Sequence, residues 1–79
     1  MESGQLMNSR RLQEIETAII SRHGAMLNFA EVSHEIGMKN KVAVHAFLEG
    51  LPTYTIGKRK RWMAHDIALR ILEGEDIQY

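Results

Sequence analysis

The stretch Asn28-Phe29-Ala30-Glu31-Val32-Ser33-His34-Glu35-Ile36-Gly37-Met38-Lys39-Asn40-Lys41-Val42-Ala43-Val44-His45-Ala46-Phe47-Leu48-Glu49-Gly50 decides the fold. Asn28 is an N-cap type, and Glu31 stands three residues on, a variant of the capping box. Phe29, Val32 and Ile36 then recur at helical spacing, and Gly37 ends the segment after about two turns. A second short helix is predicted from near Asn40 to near Glu49, with Gly50 just past its end. Ala43, Ala46, Phe47 and Gly50 share one side of it, and Lys41, His45 and Glu49 share another.

Two short helices joined by a tight glycine turn form a helix-turn-helix, whose second helix can enter the major groove of DNA. Small residues must let the helices cross closely, which is the expected role of Ala43 and Ala46. The exposed start of the second helix must carry donors, and Lys39, Asn40, Lys41 and His45 supply them.

Outward from this pair, a helix is expected from Ser9 to His23, with Leu12, Ile15 and Ile19 on one face as a core stripe or a dimer seam. Gly24 ends it, and Ala25 to Leu27 is long enough only for a single short strand. After Pro52 the period changes. Thr53 to Ile56 reads as a strand, Gly57 to Lys60 as a turn and Arg61 to Met63 as the return strand. Trp62, Tyr54 and Ile56 are expected to pack the sheet on the helices. A last helix is predicted from His65 to Glu73, with Ile67, Ala68, Ile71 and Leu72 as its stripe and Gly74 as its stop. Residues 1–8 read as a flexible N-terminus, 9–74 as the domain and 75–79 as an acidic C-terminal tail.

The 79 residues carry ten Lys and Arg against ten Asp and Glu, but the charge is segregated. Met1 to Met38 sums to −2, Lys39 to Arg61 to +5 and Trp62 to Tyr79 to −3. A local field steers a phosphate backbone even where net charge vanishes. Lys58-Arg59-Lys60-Arg61 concentrates four cations that repel one another unless an anion lies near. The expected fold is therefore mainly α with a small β-hairpin wing, a winged helix-turn-helix. Lys39, Asn40, Lys41 and His45 would meet the major groove, and Lys58, Arg59, Lys60 and Arg61 would meet phosphate or the minor groove.

There is no cysteine, so no disulfide, thiolate metal site or cysteine nucleophile is available. The four histidines include no pair at i, i+4, and Ser33-His34-Glu35 is no triad, because adjacent helix residues point in different directions. No enzyme activity, metal or cofactor is expected, and no membrane partner or small-molecule substrate. No apolar run approaches a membrane span, and the default expectation is the cytoplasm.

Residues Phe29 to about Glu73 resemble the excisionase/MerR-like class of winged helix-turn-helix DNA-binding domains. The resemblance lies in Phe29-Ala30-Glu31-Val32, Ile36-Gly37-Met38, Phe47-Leu48-Glu49-Gly50, Leu51-Pro52-x-Tyr54-x-Ile56-Gly57, the basic run Lys58 to Arg61, Trp62 and a helix opening near Asp66. It implies that the second helix enters the major groove of double-stranded DNA and that the hairpin is the wing. It also implies a role in transcriptional regulation or in excision of a mobile element. The rival expectation is a protein-interaction module without DNA affinity, as a homodimer or with a partner protein. RNA ranks lower, since beyond Trp62 and Tyr54 there is little to stack bases.

Overall fold

The structure is a computed structural model that describes the backbone of residues 2–77 and the side chains of residues 9–74. Its elements are α1 (Glu2–His23), β1 (Met26–Leu27), α2 (Phe29–Ile36), α3 (Lys41–Leu48), β2 (Tyr54–Ile56), β3 (Arg59–Met63) and α4 (Ala64–Ile77). The fold is mainly helical, with one small antiparallel sheet of order β1-β3-β2.

Local chemistry sets most of these boundaries. The Asn28 side chain accepts from the Glu31 N–H at 2.8 Å, and the Glu31 carboxylate accepts from the Asn28 N–H at 2.9 Å. This reciprocal box satisfies two of the orphan donors at the start of α2. At the other end Gly37 has φ 68°, a left-handed conformation that favours glycine. Its N–H donates to the His34 carbonyl, and the Met38 N–H donates to the Ser33 carbonyl at 3.2 Å, so the helix closes in a Schellman motif. The Ser33 hydroxyl also donates to the Met38 carbonyl. Asn40 then caps α3, its side-chain oxygen accepting from the Val42 N–H at 2.8 Å.

Two helices run further than the sequence suggests. The first starts at Glu2 rather than Ser9, because residues 2–8 contain no proline and Ser9 does not turn the chain. The last runs through Gly74 to Ile77. Glycine stops a helix by adopting positive φ, and Gly74, unlike Gly37, does not.

The core gathers Ile19, Leu27, Val32, Val44, Leu48, Trp62, Ala64, Ile67 and Ala68, with Leu12, Ile15, Phe29, Ile36, Phe47, Leu51 and Ile71 packed against it. The stripes read from α1 and α4 therefore face inward. For α3 the reading needs correction. Val44 and Leu48 are buried, whereas Ala46 is exposed and cannot ease the crossing of the helices. The i, i+4 pair of larger side chains wins because it buries more apolar area. Tyr54 and Ile56 are also corrected: all three residues of β2 are exposed, and neither side chain packs on the helices.

Polar contacts pin the helices to one another. His65 Nδ1 lies 3.0 Å from Glu16 Oε1, between α4 and α1. Arg70 Nη1 on α4 donates to the carbonyls of Phe47 at 2.9 Å and Glu49 at 3.1 Å, satisfying the end of α3 with a cation where the helix dipole is negative. No described helix is long and apolar enough to cross a membrane.

Candidate nucleic-acid interface

The sequence-predicted residues divide between the start of α3 and the hairpin. Lys39, Asn40, Lys41 and His45 are all exposed. Asn40 spends its side-chain oxygen on the cap of α3, so its amide nitrogen is the group left for an outside acceptor. Lys39 borders a recess of about 300 Å³ with His34 and Gly37 on the α2 side of the turn.

The hairpin differs from the expected four-residue turn. Gly57 (φ 60°) and Lys58 (φ 71°) alone make the turn, both left-handed. That geometry matches the twist of the flanking strands. Arg59 and Lys60 are consequently strand residues, opposite Ile56 and Thr55. The cations do not cluster at a tip; they alternate between the two faces of the sheet.

Lys60 falls on the same face as Trp62, the face toward α3. Two adjoining clefts of about 400 and 410 Å³ lie there, and His45, Lys60 and Trp62 line both. Asn28, Phe29 and Ala30 also line the second cleft, as does Arg59, although strand alternation places its Cβ on the Arg61 side of β3. The His45 ring sits over Phe29 with centroids 4.7 Å apart, and Phe29 lies 6.4 Å from Trp62. Packing on Phe29 limits the directions His45 can take, and Trp62, only 6% exposed, forms the floor. Among the described residues the buried Trp62 indole N–H has no hydrogen-bond partner. Arg61 lies on the opposite face of the strand and is not part of this groove, contrary to the grouping expected from sequence.

The electrostatics set these residues apart. Among the described residues, Lys39, Lys41, Lys58, Arg59, Lys60 and Arg61 form no ion pair. Arg11, Arg22 and Arg70 each meet a carboxylate, from Glu14, Glu35 and Glu73 respectively, so that outside these two regions only Arg10 among the described Lys and Arg residues lacks an ion pair. Sequence reasoning missed Val42, which is 76% exposed at the first turn of α3, on the side away from buried Val44 and Leu48. Its neighbour Lys41 was the available signal, since a residue one step along a helix turns about 100°. Arg70, which holds the end of α3, was missed because the contact spans two elements far apart in sequence.

Among the described residues no group of three or more His, Asp or Glu side chains gathers as a metal site. No protein-family model, curated protein or solved structure matches the chain.

Proposed function

We propose that this chain binds double-stranded DNA as a winged helix-turn-helix. Helix α3 lies in the major groove, and the β2–β3 hairpin is the wing. The order helix, strand, helix, helix, hairpin, with β1 laid on the second hairpin strand, supports this reading. The observation that carries it is the set of cations without carboxylate partners, at the start of α3 and along the hairpin, on either side of the His45–Lys60 groove.

In this arrangement Lys39, Lys41, Lys58, Lys60 and Arg59 neutralise phosphates and set the register of the helix on the duplex. His45, the Asn40 amide nitrogen and Val42 are the groups offered to base edges. Val42 is suited to a thymine methyl. The biological role that fits the resemblance is transcriptional regulation or assistance in excision of a mobile element.

Fluorescence anisotropy with a random-sequence duplex across a salt series tests the reading. Binding that weakens steeply with salt, and less steeply for a variant with Lys58, Lys60 and Arg59 changed to alanine, is the expected result. No binding at low salt would overturn it.

A further inference from the structure

Among the described residues, the face of the sheet turned away from the helices leaves Tyr54, Ile56, Arg59 and Met63 exposed and Met26 and Arg61 half-buried. Residues on that face follow from the strand period and the register: Ile56 opposite Arg59, Tyr54 opposite Arg61 and Met26 opposite Met63. Ile56 is 53% exposed, Tyr54 40% and Met63 37%. Arg61 has no ion pair among the described residues. Tyrosine, methionine and arginine side by side, with isoleucine at the edge, is the composition of a protein-binding surface. An apolar patch among cations calls for a partner that is both acidic and apolar.

The chain itself contains such a segment. Glu73-Gly74-Glu75-Asp76-Ile77-Gln78-Tyr79 has three carboxylates, an isoleucine and a tyrosine. Its described residues 73–77 form the far end of α4, away from the sheet of their own molecule. Helix α4 starts at Ala64, directly after β3, and its 14 residues carry the chain about 20 Å onward. Ile67, Ala68 and Leu72 hold that helix in the core on the other side of the sheet.

We propose that the outer face of the sheet, centred on Tyr54 and Arg61, docks residues 73–79 of a second copy of this chain. The +5 middle of one copy then meets the −3 end of the next. A net charge of zero leaves no overall repulsion between copies. The contact does not depend on DNA, and its test omits DNA, so its failure and the failure of the DNA-binding reading are separate results.

The experiment is sedimentation velocity of the full chain at low and high salt, with circular dichroism to verify folding. Wild type is expected to self-associate at low salt and dissociate at high salt. Arg61→Glu, and separately a variant with Glu75→Lys and Asp76→Lys, should each weaken association about tenfold or more. Arg10→Glu, the same charge change on α1, should leave it unaltered. Mixing the Arg61→Glu protein with the Glu75→Lys/Asp76→Lys protein should restore association, because one supplies an intact segment and the other an intact face. The double variant lies outside the sheet, so the test stands even where Arg61→Glu fails to fold. A wild type that stays monomeric at low salt, association indifferent to both variants, or a mixture that stays monomeric would overturn the proposal.

Discussion

Arg22 and Glu35 are joined by two hydrogen bonds, Nε to Oε2 at 2.6 Å and Nη2 to Oε1 at 2.5 Å, which tie the end of α1 to the end of α2. His23 Nε2 lies 2.7 Å from the same Oε2. The Arg22 hydrogen bonds hold the Glu35 carboxyl below the usual glutamate range; burial opposes them and the His23 hydrogen bond adds to them. A carboxyl with a depressed folded pKa contributes stability above its unfolded pKa and loses it as pH falls through the folded value. Glu35→Gln should therefore cost about 1–2 kcal/mol at neutral pH. The gap from wild type should close in acid. Urea melts across a pH series measure both, and a gap constant with pH would show that packing alone is at stake.

Strand alternation separates two neighbouring cations. Lys60→Ala should weaken DNA binding alike on all sequences and lower the salt slope by about one. Arg61→Ala, on the other face, should leave the slope unchanged. Anisotropy titrations of the two variants side by side decide this, and equal losses would contradict the assignment of faces.

Lys58 sits at φ 71° without the freedom of glycine. Lys58→Gly should relieve that strain and raise stability by up to about 1 kcal/mol, while removing one phosphate contact. The expected outcome is a higher melting temperature together with weaker DNA binding. A variant that melts lower would show that the left-handed turn is not the strained element.

Asn40 is a cap with an exposed amide. Asn40→Asp keeps the acceptor for the Val42 N–H and places a negative charge at the positive end of α3. Thermal stability should be kept or raised, but DNA affinity should fall through repulsion of phosphate. Unchanged affinity would place the duplex elsewhere.

Arg70 closes the end of α3 through two carbonyls. Arg70→Ala should cost about 1 kcal/mol. Hydrogen exchange should quicken at the α3 amides more than at those of α2, whose ends are closed by Asn28 and Gly37. Uniform quickening would mean that the guanidinium supports the whole fold and not α3 in particular.

Local sequence determined much of this protein. Asn28 with Glu31, Gly37, Asn40 and Gly50 bound two short helices because caps and left-handed turns depend on neighbouring residues only. The apolar spacing of α1 and α4 named the core residues Ile19, Ile67, Ala68 and Leu72, since helical periodicity shows directly which side chains share a face. The cationic middle of the chain was visible in composition alone.

Tertiary structure decided the rest. Whether Gly57 and Lys58 alone would turn, and so whether Arg59 and Lys60 would be strand residues, depended on register with β2; a shift of one residue exchanges the faces of every side chain. Val44 displaced Ala46 from the core because the cluster it joins, which gathers Leu27 and Trp62 from distant segments, takes the larger side chain. Tyr54 and Ile56 stayed uncovered because the helices fill only one side of the sheet. The groove between His45 and Lys60, and the grip of Arg70 on the end of α3, each join residues well separated along the chain, where spacing carries no information and packing alone brings them together.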